Sequence, residues 1–188
     1  MYKKLIIGEP FFVKATPAYV NIWLNELPNI TISESCETTV VPIRSNKSLV
    51  PFKCAIEIYK APYFNNSYGL LGFEFIPKIG ADCVEIIVAY TAQQGIRYYG
   101  EMKPNGSYPF MGLYKEWYNG IVEGKAKKFI EENGIPAGTI NFKVAANCGI
   151  GSSPNMFMRL TEMLLKLLQI NTENIKDEEL TDLILKTF

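Results

Sequence analysis

Residues 134–160 read GIPAGTINFKVAANCGIGSSPNMFMRL, a stretch that contains a helix end, a long strand, a tight turn and a helix start. Gly134 can adopt the left-handed backbone that ends a helix, and Pro136 prevents its continuation. Apolar and other residues alternate over 140–148, which predicts a strand with one polar side. Its apolar side consists of Ile140, Phe142, Val144, Ala146 and Cys148. Ser153-Pro154 has the residue types of a helix N-cap and first turn.

Three more strands are predicted upstream, at residues 52–59, 69–76 and 83–92. The first alternates, with Lys53, Ala55, Glu57 and Tyr59 on the side opposite Phe52, Cys54, Ile56 and Ile58. That alternation predicts a half-buried strand whose second side, including Glu57, is polar. A turn-rich stretch at 61–66 separates the first two strands. The sequence therefore predicts an antiparallel meander.

Helices are predicted at residues 113–130, after Ser153 and from Asp177 onward, because apolar residues recur there at three- and four-residue steps. Leu5–Ile7 and residues 38–43 are predicted as strands, whereas residues 18–27 fit either a short helix or a strand. The chain has 188 residues, enough for one domain. We expect an α+β domain at 51–188, with residues 1–50 as an extension packed on it.

Three segments resemble the fourth domain of elongation factor G, and more closely the equivalent domain of tetracycline-resistance ribosomal protection proteins. They are AIEIYKAPYFNNSYGLLGFEFIPKIG (55–80), NGIVEGKAKKFIEENGIPAGTINFKV (119–144) and CGIGSSPNMFMRL (148–160). The resemblance covers the chain from about residue 55 to residue 168. It implies a ribosomal protein S5 domain 2-like fold, a four-stranded, mainly antiparallel sheet with two helices on one face. The N-terminal β-rich extension and a short C-terminal helix would be additions.

The resemblance also implies a ribosomal function. In those relatives the loops at the domain's tip touch ribosomal RNA, and by position the corresponding tip loop is Gly149, Ile150, Gly151, Ser152, Ser153, Pro154 and Asn155. That loop is shorter than in the protection proteins. The sequence has no Walker A motif, so the GTPase of the relatives is missing. Residues 93–111 form an apparent insertion that is predicted to be a hairpin around residues 103–106.

Composition limits the chemistry and the partners. Nineteen basic residues balance 19 acidic ones, so no overall field attracts DNA or a membrane surface, and any RNA contact must be local. Histidine is absent, which removes the commonest general base and zinc ligand. Four cysteines lack metal-ligand spacing. Because the sequence shows no signal peptide or spanning segment, we expect a cytoplasmic protein. Because histidine and metal-ligand spacing are absent, we expect it to bind no metal or cofactor and not to be an enzyme.

Three functions are compatible with these residues. In a module that binds the ribosome or structured RNA, the tip loop would make the contact, helped by Arg97, Tyr98, Tyr99, Lys103 and Tyr108, which combine cations with aromatic rings. In a phosphate-binding or phosphoryl-carrier protein, Cys148 would be the carrier, because residues 148–153 resemble the phosphocysteine loop of enzyme IIB components of the phosphotransferase system. The third is a small-ligand or protein-interaction domain. For the tip loop itself, a plain strand-to-helix turn is also a full explanation.

Overall fold

The computed structural model describes residues 1–7, 18–30, 32, 35–43, 50–60, 67–91, 95–170 and 172–187. Within these ranges the chain forms eight strands. They are β1 (Tyr2–Ile7), β2 (Ala18–Leu24), β3 (Ser35–Pro42), β4 (Phe52–Lys60), β5 (Ser67–Pro77), β6 (Cys83–Tyr90), β7 (Phe110–Met111) and β8 (Gly138–Asn147). The turn predicted at 61–66 and residues 93–94 of the predicted insertion lie outside the described residues.

All eight strands belong to one mixed sheet, in which seven follow the order β1-β2-β4-β5-β8-β6-β3 and β7 pairs with the end of β8. Neighbouring strands are antiparallel except β6 and β8, which are parallel. Ile140 of β8 lies between Phe75 of β5 and Ile86 of β6. A parallel neighbour requires a crossover connection, and the helical run before β8 provides it.

That helical run is irregular. It consists of a 3₁₀ turn (Lys115–Trp117), α1 (Tyr118–Ile121), a π-helical turn (Val122–Ala126) and α2 (Lys127–Asn133). The sequence predicts one regular helix from residue 113 to 130. The observed run instead begins at Lys115 and contains a π-helical turn. The wide turn leaves Ile121, Val122 and Ala126 all buried. Gly134 ends the run in the left-handed conformation, at φ 67° and ψ 57°, as predicted.

Two further helices follow β8, namely α3 (Pro154–Gln169) and α4 (Asp177–Thr187). Ser153 is the N-cap of α3, where its Oγ accepts a hydrogen bond from the Met156 N–H at 3.3 Å, so the capping prediction is confirmed. The helices pack on one face of the sheet, where Ile56 and Ile58 of β4 share a single apolar cluster with α3 residues such as Phe157. The expectation that both main helices cover the same side is confirmed.

The α+β class is confirmed, but the predicted strand arrangement is wrong in two respects. β8 lies between β5 and β6, so these strands do not form a meander. Within the described residues the sheet has eight strands rather than four, because β1 and β2 extend it beyond β4, β3 extends it beyond β6, and β7 pairs with the end of β8. Leu5, Val20 and Val41 of these added strands are buried in the same core as the helices. Residues 18–24 are therefore a strand.

A β-bulge in β8 changes which side its residues face. Gly72 pairs with Val144 and Phe73 with Phe142, which leaves Lys143 as an extra residue. Ile140 and Phe142 pack among the helices, whereas Val144 and Ala146 pack on the opposite side of the sheet, here called the second face. The prediction that the apolar residues of 140–148 share one side is wrong, because the extra residue at the bulge reverses the sides of the residues that follow it.

We expect Gly72→Ala to lower the free energy of unfolding by about 1–3 kcal/mol, because the neighbouring residues of β4 leave no space for a side chain at Gly72. A Cβ on Gly72 would lie 2.7 Å from the Cβ of Ala55 and 3.0 Å from the carbonyl oxygen of Cys54. Urea denaturation measures the loss. Gly149→Ala is the matched control, since nothing lies within 4 Å of its added Cβ. An equal loss at both positions would contradict the prediction.

Candidate functional site

The second face contains a buried carboxylate at Glu57, in the middle of β4. Its side chain has 0% exposure. Asn21 is its register partner on β2 and donates from Nδ2 to Oε2 at 2.8 Å. Tyr68 on β5 donates from its hydroxyl to Oε1 at 2.8 Å. Both donors are themselves buried, so three neighbouring strands hold one carboxylate in place.

Glu57 has no cationic partner within the described residues. Burial raises its pKa above the usual range, although the hydrogen bonds from Asn21 and Tyr68 oppose that rise, and the nearby charge of Glu101 adds to it. A buried ion costs several kcal/mol when no opposite charge compensates it. The group is therefore suited to holding a proton at a pH where exposed carboxylates are ionised.

Residues 95–111, here called the covering segment, lie over the second face. The segment folds back on itself as predicted, with the Tyr98 N–H donating to the Pro109 carbonyl at 2.8 Å and the Met111 N–H to the Ile96 carbonyl at 2.7 Å. β7 at its end pairs with β8 and fixes it to the sheet. Met102 is buried in the apolar cluster of the second face. Trp23, Leu27 and Ile30 pack in the same cluster, so the second face around Glu57 is covered from both parts of the chain.

Glu101 connects the middle of the covering segment to β1. Its Oε2 accepts a hydrogen bond from the Tyr2 hydroxyl at 3.0 Å and pairs with Lys4 Nζ at 2.6 Å. These contacts lower the pKa of Glu101. Since both members of the ion pair are more than half exposed, it contributes at most about 1 kcal/mol. The connection is consequently weaker than the strand pairing at the segment's other end.

A cavity of about 350 Å³ lies between the covering segment and strands β1, β2 and β4. Its walls include Ile6, Tyr19, Tyr59 and Met102, and the polar groups around it are Lys4, Asn21, Glu101 and Lys103. The Tyr19 and Tyr59 rings stack with centroids 6.3 Å apart. Asn21 both lines the cavity and donates to Glu57, so the cavity and the buried carboxylate share one side chain.

A second cavity of about 380 Å³ lies at the C-terminal end of α3 and the start of β4. Phe52, Leu168, Thr172 and Glu173 are among its lining residues. No buried ionisable group within the described residues adjoins it. The cavity beside Asn21 is therefore the better candidate, because pockets that adjoin buried groups with perturbed pKa values are more often functional.

The structure brings the predicted RNA-stacking residues together in the covering segment. The Arg97 guanidinium lies 3.9 Å from the centre of the Phe110 ring and also donates to the Tyr108 carbonyl. Lys103 Nζ lies 4.5 Å from the centre of the Tyr108 ring, whose edge meets Tyr99. Both cations thus cover rings of their own segment. Tyr98 is half-buried, and burial together with the charges of Glu57 and Glu101 raises its pKa.

The tip loop, residues 149–155, is a turn held in place by side-chain hydrogen bonds to the backbone. Ser152 Oγ accepts from the Cys148 N–H at 2.8 Å and donates to the Tyr68 carbonyl at 2.7 Å, while Ser153 caps α3. Gly149 and Ile150 are exposed, and the loop contains no lysine or arginine. The structure therefore accounts for both serines by backbone hydrogen bonds, and it shows no cation of the loop's own that could pair with phosphate.

Cys148, the alternative phosphoryl carrier, is half-buried beside the second-face cluster. Burial raises the pKa of its thiol to about 11; the charge of Arg97 opposes this rise and that of Glu57 adds to it. A thiol with so high a pKa is almost entirely protonated at neutral pH, and the thiolate is the nucleophilic form. Cys148 is therefore poorly suited to accept a phosphoryl group.

Other kinds of site are not found in the part of the chain described. No group of three or more cysteine, aspartate and glutamate side chains there could hold a metal ion. No helix in these ranges is long and apolar enough to cross a membrane. No protein-family model, curated protein or solved structure matches the chain. The proposed function therefore depends on the geometry alone.

The centre of this site, formed by Asn21, Glu57 and Tyr68, was not predicted from the sequence. The alternation of residues 52–59 predicted a half-buried strand with Glu57 on its polar side. The structure corrects this, since the covering segment and β2 exclude solvent from the middle of β4. The available signal was that Ala55 and Tyr59 flank Glu57 on that side, which is an apolar surrounding for a charge.

We expect the unfolding free energy of Glu57→Gln, relative to that of the unmodified protein, to rise as the pH increases above about 4.3, the usual glutamate pKa. Because folding raises the pKa of Glu57, the folded state binds more protons than the unfolded state above that pH, and Glu57 increasingly opposes folding. Glutamine cannot ionise and removes this effect. Urea denaturation at several pH values measures the difference. Glu131→Gln, at an exposed position, is the control, and a pH-independent difference at Glu57 would contradict the prediction.

We expect iodoacetamide to alkylate Cys148 at least about tenfold more slowly than the exposed Cys36 at pH 7.5, because burial keeps the Cys148 thiol protonated. Peptide mass spectrometry after timed quenching measures both rates in the same sample. Cys148→Ser identifies the Cys148 signal. Equal rates at the two cysteines would instead favour the carrier function.

Proposed function

We propose that this protein is a non-enzymatic module that binds a small, largely apolar molecule in the cavity beneath the covering segment. The observation that supports this function most directly is that the cavity adjoins a buried, hydrogen-bonded carboxylate through Asn21. Pockets for small molecules are typically concave and mostly apolar, with few polar groups at defined positions. The cavity's volume of about 350 Å³ falls within the range of such pockets.

One polar group of the cavity wall, the Asn21 side chain, is held in place by hydrogen bonds that connect three strands. Asn21 and Glu57 occupy paired positions on two neighbouring strands, and Tyr68 adds a hydrogen bond from a third strand. Such an arrangement presents the same surface before and after binding, which lowers the entropic cost of association. The weaker contacts of Glu101 with β1 are the ones that a ligand entering from that side would disturb.

We also propose that the α+β fold is of the ribosomal protein S5 domain 2 type. The order β4-β5-β8-β6 is consistent with it, as are the parallel β6–β8 pair and the helices on one face. Such a fold serves unrelated functions, so it does not by itself imply a ribosomal role. The hypothesis of ribosome or RNA binding has less support, because Arg97 and Lys103 are engaged within their own segment. The carrier hypothesis has less support because Cys148 is protonated.

We expect the neutral dye N-phenyl-1-naphthylamine to bind at one saturable site, detected as an increase in its fluorescence. Tyr19→Ala should weaken binding about tenfold, about 1.4 kcal/mol, because it removes one of the two stacked rings from the wall. Tyr59→Leu should weaken it similarly. Tyr99→Ala is the matched control, since its ring is 73% exposed on the covering segment and does not line the cavity.

Trp23 offers a second, label-free readout. It packs against the second-face cluster, and its ring lies 5.1 Å from that of Tyr2, whereas Trp117 stacks on Phe157 on the helix side. Trp117→Phe leaves Trp23 as the single tryptophan. Ligand binding should then change the emission. The absence of saturable binding, or unchanged affinity in both Tyr19→Ala and Tyr59→Leu, would overturn the proposed function.

A further inference from the structure

Within the described residues, the charged side chains that line the cavity are two lysines and one glutamate. Lys4 lies on β1, whereas Glu101 and Lys103 lie on the covering segment. The lining groups therefore have an excess of one positive charge, although the whole chain has a formal net charge of zero. Such a local excess favours an anionic group in the cavity over a cationic one.

Lys103 supplies the charge that is not balanced. Glu101 Oε2 lies 2.6 Å from Lys4 Nζ and accepts a hydrogen bond from the Tyr2 hydroxyl at 3.0 Å. Lys103 belongs to no ion pair in the part of the chain that the structure describes, and its Nζ lies 4.5 Å from the centre of the Tyr108 ring. Because an aromatic ring has no net charge, this contact positions the ammonium group without neutralising it.

The walls beside these lysines are apolar. Tyr19 and Tyr59 present rings that stack with an angle of 20° between their planes, and Met102 adds aliphatic surface. Asn21 is an uncharged polar group of the lining, and its Nδ2 already donates to Glu57. The cavity thus combines a surface for a hydrocarbon group with one unpaired cation, which is the complement of an amphiphilic anion.

We propose that the cavity binds a small amphiphilic carboxylate, whose hydrocarbon part packs against Tyr19 and Tyr59 and whose charged group pairs with Lys103. This inference rests on the ligand-binding function proposed above and adds the chemical class of the ligand. A monoanion fits better than a dianion such as a phosphate ester, because only one of the two described lining lysines lacks an anionic partner.

Two carboxylates act against an anion in the cavity and limit the size of the preference. Glu101 lines the cavity, whereas Glu57 is buried, accepts a hydrogen bond from Asn21 and does not line it. Lys103 is exposed, and an exposed ion pair strengthens binding at most about fivefold. We therefore expect a carboxylate to bind about threefold to fivefold more tightly than a neutral molecule of the same shape.

The test compares three probes that share the same two fused rings: 2-naphthoate, 2-naphthalenemethanol and 2-naphthylmethylamine. We expect 2-naphthoate to bind about threefold to fivefold more tightly than the alcohol, and the amine to bind most weakly. Displacement of the neutral dye at pH 7.5 and low ionic strength measures each affinity.

Two substitutions on the covering segment should have opposite effects. Lys103→Gln removes the unpaired cation and should weaken 2-naphthoate about threefold to fivefold, whereas Lys103→Arg should restore its affinity. Glu101→Gln removes a negative charge and frees Lys4, so it should strengthen 2-naphthoate about twofold to threefold. Neither glutamine variant should change the affinity of the alcohol. Lys128→Gln, at an exposed position of α2, is the matched control for the loss of one lysine charge and should change no probe.

Ionic strength gives a readout on the unmodified protein. Raising the concentration of sodium chloride from about 20 mM to about 500 mM should remove most of the advantage of 2-naphthoate, because salt screens charges that are exposed to solvent. The affinity of the alcohol should not fall. A lysine that serves only to cover Tyr108 would produce neither the preference for the carboxylate nor its dependence on salt.

The outcomes separate the two proposals. Failure of all three probes and the neutral dye to bind would overturn the ligand-binding function itself. Binding of the alcohol as tightly as 2-naphthoate, or a 2-naphthoate affinity that neither Lys103→Gln nor salt reduces, would overturn the carboxylate inference and leave the ligand-binding function standing.

Discussion

The position of β8 between β5 and β6 is the constraint on which the rest of the structure depends. Because β8 is parallel to β6, the chain must cross over the sheet between them, and this crossover places the helical run on one face. α3 leaves the other end of β8 and packs on the same face. The second face is covered instead by the covering segment, which is anchored through β7 to β8, and by Leu27 and Ile30.

The bulge at Lys143 connects this arrangement to the site. It turns Val144 and Ala146 toward the second face, where they join Leu70 and Met102 in an apolar cluster. That cluster and the covering segment exclude water from the middle of β4, so Glu57 is buried although it is a charged residue. Among the residues that the structure describes, its carboxylate accepts two hydrogen bonds and has no cationic partner. Such a group opposes folding when it is ionised.

A relation to translation factors is a proposal that rests on the resemblance in sequence, and no family model, curated protein or solved structure matches the chain. The features that would carry a ribosomal function are less developed. The tip loop is braced by Ser152 and Ser153 and lacks cations, and Arg97 and Lys103 cover aromatic rings of their own segment. The cavity lies instead on the second face, between β1, β2, β4 and the covering segment.

The sequence by itself determined those features that depend on neighbouring residues. Ser153 caps α3 and Gly134 ends the helical run, because caps are local hydrogen-bond and backbone requirements. The strands predicted at 52–59 and 69–76 correspond to β4 (Phe52–Lys60) and β5 (Ser67–Pro77), and the first of them was indicated by alternation over a few residues. Only the tertiary structure decided that β8 separates β5 from β6, that the bulge reverses its sides, and that Glu57 is buried. Each of these depends on contacts between residues far apart in the chain, such as Asn21 with Glu57 and Gly72 with Val144, and a pattern along one strand carries no information about which strand or segment lies beside it.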